Sequence, residues 1–504
     1  MKRIQLVKDR AFYKNFFSIW SVLVLYNIIT LGVNLLDNVM VSAYSESAMA
    51  GVSAVNQVQF LFQQLMLGAG DAAVVLGSQY WGQKRTEPVK RIAVGALMLG
   101  TALGILFFAV SAVAPAGVVS LFTDDPAIHA AGVEYLRIMK YSFLVFALTN
   151  LLLAVLRSVE TVRIGFWVSL STLLVNGGLN YLLIEGRLGF SRLGVTGAAI
   201  ATLAARCAEL AIVLIYLLCL DKKLKWRLRD FVAVDKLLTK DYFRLVRSFL
   251  LTSLLFGGAV MLQTVILGHM EENAAGGSTI AANSIASTLY QMLKVAIVGA
   301  SSAAAVLIGQ AIGRANDAEA LGNRPQREDR APQAITEGKG KTAAAESMDI
   351  DRMEDIKSYA KTLQVMFLGI GVCTSTALFL LRVPVVNLYA AISPDLSPET
   401  YRMALDFIAV LCVTGFGTAY QMPVATGIIR GGGDAKFVLV NDLISIWGIV
   451  LPVSFLAAFV FKWPPVAVIA CLNADQVFKC GAACIKVNRY RWMKKLTRKE
   501  TEAD

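Results

Sequence analysis

Histidine is almost missing from this chain, with two in 504 residues. His129 and His269 stand far apart in sequence, so no histidine-built metal centre or metal hydrolase follows from them. Charge is scarce as well: 17% of residues are charged against 56% hydrophobic, and the mean hydropathy is +0.59. That balance excludes an ordinary soluble domain. The seven cysteines all lie within apolar runs and show neither disulfide-framework nor zinc spacing, so they read as packed thiols. A phosphate-binding loop is missing too. Gly338-Lys339-Gly340-Lys341-Thr342 lacks the upstream glycine and the flanking strand, which removes an ATP-driven engine from this chain. Gly68-Ala69-Gly70-Asp71 matches the GxGD of intramembrane aspartyl proteases, but no span carries the Tyr-Asp needed to share a proton with it. The chain therefore reads as no enzyme.

What is there is apolar and long. Twelve runs, from 16–40 to 465–486, reach the roughly 20 residues that a helix needs to cross a bilayer. They are far too long for barrel strands, so an all-α integral membrane protein is expected. The net charge of +12 is distributed by topology. Most Lys and Arg fall in the even-numbered loops and at both ends, including Lys84, Arg85, Lys90 and Arg91, the stretch 222–247, and the tail from Lys486. By the positive-inside rule both termini are cytoplasmic, in a multi-pass protein of the cell membrane. The basic start, Met1 to Lys14, leads into the first span with no cleavage site nearby.

The chain also repeats itself. Leu36-Asp37-Asn38-Val39-Met40-Val41 returns 226 residues later as Leu262-Gln263-Thr264-Val265-Ile266-Leu267. Ala50, Ser53, Gly68, Gln79 and Gly82 return 231 residues on as Ala281, Ser284, Gly299, Gln310 and Gly313; Arg157 and Arg163 are echoed at 273 by Arg430 and Lys436. A duplicated set of six spans keeps its orientation, which predicts a pseudo-two-fold along the membrane normal and a site where the halves meet. The expected organisation is a six-helix lobe over 1–220, a basic tether over 221–247, a second lobe over 248–486 and a basic tail over 487–504. Residues 315–357 are charged and Gly-containing, the composition of a mobile cytoplasmic linker.

Ionisable and amide groups inside the spans need reasons, at roughly 2.5–3.5 kcal/mol for a charge near mid-bilayer. Asp37 in span 1 is either a carboxylate satisfied by neighbouring helices or a titrating, ion-binding group. Asn176 and Asn180 are i and i+4 on span 5, hence on one face. They suit a hard cation or hydrogen bonding to Asp37, or form an interhelical pair. Asn34 and Asn150 extend the set. Arg206 with Glu209, and Asp475 with Lys479, have the spacing of helical ion pairs. In the second half Lys294 and Asp442 could meet across the lobe.

These residues, with Gly77-Ser78-Gln79-Tyr80-Trp81-Gly82, Leu193-Gly194-Val195-Thr196-Gly197-Ala198-Ala199, Ile429-Arg430-Gly431-Gly432-Gly433-Asp434 and Arg489-Tyr490-Arg491-Trp492 in that order, resemble the multidrug and toxic compound extrusion (MATE) family over nearly the whole length. The resemblance implies two pseudo-symmetric six-helix lobes around a V-shaped cavity. It implies a monomeric antiporter exporting organic, amphipathic, typically cationic compounds in exchange for protons or sodium, with no other cofactor. It places ion coupling on Asp37, Asn176 and Asn180. Many members carry a second aspartate where Asn180 stands. The second lobe's acidic site finds Gln263 and Lys294 instead. A lipid-linked-precursor flippase of the same superfamily is the competing reading; twelve spans and few basic residues within them favour the exporter.

Overall fold

Lipid offers the backbone no hydrogen-bond partner, so each apolar run must close its own bonds as helix. The computed structural model describes residues 5–498 apart from 124, 185, 187, 188, 190, 271–278, 323–337 and 393–396, and the described residues contain helix and no strand. The helices are α1 (Arg10–Tyr44), α2 (Glu46–Gly82), α3 (Thr86–Val113), α4 (Pro115–Ser120), α5 (Pro126–Met139), α6 (Ser142–Ser158), α7 (Arg163–Leu183), α8 (Gly194–Ile215), α9 (Lys236–Met270), α10 (Thr279–Gly322), α11 (Gly338–Ile392), α12 (Pro398–Met422), α13 (Ala435–Asp442), α14 (Leu451–Phe455), α15 (Pro465–Leu472) and α16 (Asp475–Asn488).

Eleven helical stretches among the described residues are long and apolar enough to cross a membrane, and counting the bent pair of α5 and α6 as one span brings the number to twelve. The fourth run, expected as one span over 133–156, turns by 55° at Lys140–Tyr141. The turn is chemically satisfied. The Ser142 hydroxyl donates to the Met139 carbonyl at 2.6 Å, and the Lys140 ammonium lies 5.8 Å from the Phe108 ring and 5.4 Å from that of Tyr141. Past Met422 the helix widens to i→i+5 bonding over Pro423–Ile429. Proline at 423 removes the N–H that would have bonded one turn back, and the ladder slips by a residue.

The residues form two compact units. One holds 19–74 and 90–269; the other holds 1–18, 75–89 and the chain from 270 onward. In the first, α7 and α8 pack along each other, with α5 and α6 also against α8. Lys90 pairs with Asp230 at 3.0 Å, Arg157 with Asp71 at 2.8 Å, and the Tyr242 hydroxyl donates to the Ala69 carbonyl. Part of the basic segment 221–247 is thus built structure: Trp226 is buried against Phe231, and α9 begins at Lys236.

The second unit packs α10, α11, α12 and α16 together, and the end of α2 crosses α10 inside it. Gly82 lies against the Gln310 backbone, Gly313 against the Gln79 backbone, and Gly309 against the Ser78 side chain. Gly82 and Gly313, Gln79 and Gln310, and Ser78 and Gly309 are repeat mates at the spacing of 231, so the duplicated sequence packs reciprocally on itself. The register of 273 has a backbone signature as well: Glu160 and Gly433 both have positive φ, 56° and 100°. Of the linker 315–357, residues 315–322 extend α10 and 338–357 belong to α11, while 323–337 lie outside the described residues.

Candidate functional site

On α7, Thr172, Asn176 and Asn180 recur every four residues and form one stripe. All three are buried. The Asn180 amide donates to Asp37 of α1 at 2.6 Å and to the Asn176 carbonyl oxygen at 3.2 Å. Asn176 donates onward to the Thr202 hydroxyl on α8 at 3.2 Å. The three residues expected to act together are therefore one hydrogen-bonded set. The Asn180 side-chain oxygen is buried and has no hydrogen-bond partner among the described residues. A buried amide oxygen beside a carboxylate is an acceptor awaiting a proton donor or a cation.

Lower on the same stripe the Thr172 hydroxyl bonds Glu209 at 2.5 Å, and Arg206 bonds both Glu209 oxygens at 3.2 Å. The Arg206 guanidinium lies 4.7 Å from the Phe146 ring centre. The i,i+3 pair expected from spacing is present, and Thr172 is an addition that the sequence reading missed. Asn34 is exposed on α1, and Asn150 on α6 donates to the Phe146 carbonyl at 3.5 Å, so neither is seen to join Asp37. Gln263 is half-buried on α9.

In the other unit, Lys479 sits between Asp442 at 2.8 Å and Asp475 at 2.9 Å. The i,i+4 pair holds. Asp442, expected to meet Lys294, is paired with Lys479. Gln476 donates to both Asp475 oxygens and accepts from Thr418 and Gln421; Tyr290 in turn donates to Thr418 at 2.8 Å. Lys294 lies one turn along from Tyr290, its ammonium 5.9 Å from that ring. No group of three or more His, Cys, Asp or Glu suited to a metal occurs among the described residues.

The MatE family's sequence model matches residues 23–182, which run from within α1 to near the end of α7 and include both Asp37 and Asn180. Over this stretch the chain is similar to the MATE family. A probable multidrug resistance protein NorM of Thermotoga maritima is 22% identical over 94% of this chain and 92% of its own. One from Xylella fastidiosa is 24% identical over 84% and 81%. An outward-facing multidrug resistance MATE transporter of the MOP superfamily superposes with a TM-score of 0.77, at 17% identity over 96% of this chain and 97% of its own. The Vibrio cholerae MATE transporter VcmN in its bent form gives 0.76, at 15% over 95% and 97%. These likenesses show a MATE fold across nearly the whole chain. MATE transporters, which this chain resembles in sequence and fold, are membrane transporters and not enzymes.

Proposed function

We propose that this chain is a secondary active exporter of amphipathic organic compounds, driven by inward flow of protons or sodium through the Asp37 cluster. One observation carries the reading: the Asp37–Asn180–Asn176 set with its unpaired Asn180 oxygen. A buried carboxylate with one amide donor is left short of partners when ionised and so takes up a proton or a cation, and the spare oxygen adds a ligand for sodium or an acceptor for a proton donor. Such a group couples transport when its occupancy differs between states open to either side, since a ligand shifts an equilibrium only by its differential affinity. The related proteins named for multidrug resistance support the substrate class. The protein is placed in the cell membrane with both termini cytoplasmic, acting as a monomer by alternating access of its two six-span halves.

The test is dye efflux from proteoliposomes of the full chain under separate pH and sodium gradients. Wild type should export under at least one gradient, and Asp37→Asn should fall to background with normal reconstitution. Asn180→Asp should retain export with altered dependence on pH or sodium. Gradient-driven export by Asp37→Asn at the wild-type rate would sink the assignment.

A further inference from the structure

We propose that residues 221–236, the connection between α8 and α9, form a docking surface for anionic phospholipid headgroups. The span that contains α8 ends at Leu220, and the next begins at Lys236. The connection is therefore held at the membrane edge, in the layer of the headgroups. It is a built element. Asp221 accepts from the backbone N–H groups of Lys223, Leu224 and Lys225 at 3.1, 2.9 and 3.1 Å. Trp226 is buried with its ring centre 4.7 Å from that of Phe231, and Arg91 of α3 donates to the Ala233 carbonyl at 2.8 Å.

Its charges are sorted by sign. Lys222, Lys225, Arg227, Arg229 and Lys236 are all exposed. The three carboxylates of the segment are engaged by the protein itself. Asp221 is buried in its cradle of N–H groups, and Asp230 is buried against the Lys90 ammonium at 3.0 Å. Asp235 is half-buried and accepts from the Leu237 and Leu238 N–H groups at 2.8 and 3.0 Å. What faces outward is cationic. Topology alone makes such a loop basic, but it does not turn each carboxylate inward, and it does not account for the side chains that stand among the bases.

Those side chains are aliphatic. Leu228 is 74% exposed and Val232 79%, both on a short 3-10 turn over Leu228–Val232 that buries Asp230. Arg229 and Val232, three apart, share one face of that turn. A guanidinium fork takes a phosphate bidentately, and an aliphatic group beside it reaches the acyl boundary just below. A nucleic acid would leave Leu228 and Val232 in water. A second copy docked face to face would set this basic surface against itself. An anionic lipid satisfies both halves of the surface.

The docking stands apart from the export reading and from which side of the membrane this end faces. The full chain in a neutral maltoside is mixed with phosphatidylglycerol or phosphatidylcholine of identical acyl chains, each bearing a photoactivatable diazirine beside the headgroup. After illumination, labelled peptides are located by mass spectrometry. Phosphatidylglycerol should label 221–236 about fivefold more than phosphatidylcholine, or better. Joint replacement by Lys225→Gln, Arg227→Gln and Arg229→Gln should bring the two lipids to one level, whereas Arg227→Lys with Arg229→Lys should keep the preference. Leu228→Ser with Val232→Ser should lower labelling by both lipids about threefold or more. All five side chains are exposed, so melting temperatures should match wild type. If the glutamine variant fails to fold, the wild-type comparison and the serine variant still decide. Equal labelling in wild type, a preference surviving the glutamine replacements, or labelling unmoved by the serines would each overturn the proposal. So would displacement of the lipid by excess soluble sn-glycerol 1-phosphate, which would assign a solute anion, or a dimer that the serine variant dissociates, which would assign a second copy. Loss of the lipid preference with Asp37-dependent export intact overturns this inference alone. Export that ignores Asp37 with the preference intact overturns the export reading alone.

Discussion

Lys479 holds two carboxylates away from water at once, so its removal is costlier than the loss of one ion pair. Its side chain is 5% exposed, as is that of Asp475. Lys479→Met leaves two charges facing each other without a counter-ion and should destabilise by roughly 3–5 kcal/mol, the range for breaking a buried pair. Adding Asp442→Asn and Asp475→Asn should recover much of that loss, because an uncharged cluster keeps hydrogen bonds without repulsion. Thermal unfolding of the purified protein would check this; a triple variant no more stable than the single one would refute it. Asp434 gives a pH prediction outside the spans. Burial acts to raise its carboxyl, but Lys486 and Lys494, each at 2.7 Å, outweigh burial and hold it below the ordinary carboxylate range. A depressed folded-state value stabilises above the unfolded value of about 3.9 and loses that contribution as pH falls through the folded one. The hydrogen-exchange protection of residues 489–498, relative to the intrinsic rate at each pH, should therefore be level from neutrality down to about pH 5 and fall below about pH 4, and Asp434→Asn should remove the acid dependence. At this scale the sequence revealed what one helix brings together. Arg206–Glu209, Asp475–Lys479 and Asn176–Asn180 follow from turn geometry. Asp442 on Lys479 and Asp71 on Arg157 depend on which faces of separate helices meet, and spacing along one helix holds no record of that.

Among elements, the crossing of α2 and α10 and the tail laid on α2 are the most constrained. Gly82 and Gly313 face backbone rather than a movable side chain, so a methyl at either must push two helices apart. Gly82→Ala and Gly313→Ala should each lower the melting temperature by several degrees, whereas Gly178→Ala on α7, with nothing within 4 Å, should be neutral or slightly stabilising. A loss at Gly178 as large as that at Gly82 would show that close approach does not govern these positions. The tail is read by α2 through hydrogen bonds. The Gln79 amide donates to the Lys494 carbonyl at 3.1 Å and accepts from the Leu496 N–H at 3.0 Å; Gln83 bonds Thr497, and Arg85 bonds the Arg498 carbonyl. Trp492 is fully buried against Gly432, which explains a glycine there. From sequence the tail read only as a basic end, because hydrogen bonds made by backbone atoms have no residue code. Only Gln79 and Gln310 at matching repeat positions marked the place. The match is incomplete: the Gln310 amide nitrogen is buried without a partner among the described residues, so the tail serves one copy only.

At the scale of the whole molecule, the duplication in sequence and the division in space do not coincide. Twelve spans and two copies were legible because hydrophobic length and repetition are local signals. The assignment of 1–18 and 75–89 to the unit built on the second copy was not, since it arises from contacts hundreds of residues apart. The Val7 N–H donates to Thr362 at 3.0 Å, Phe12 stacks on Tyr359 at 4.7 Å, and Gly82 is pressed on Gln310. A fragment of residues 236–504 therefore lacks part of its own core. Expressed alone, it should aggregate or be degraded. The chain divided between 322 and 338 has a different expectation. The segment removed is charged and poor in apolar side chains, and both pieces retain every packing contact named above. Co-expressed as 1–322 and 338–504, the pieces should co-purify as one complex that exports dye in proteoliposomes. Size-exclusion chromatography in detergent reads both cases. A monodisperse, helical 236–504 fragment would mean that the second copy folds without 1–18 and 75–89, and that its contacts with them only adorn a unit already complete.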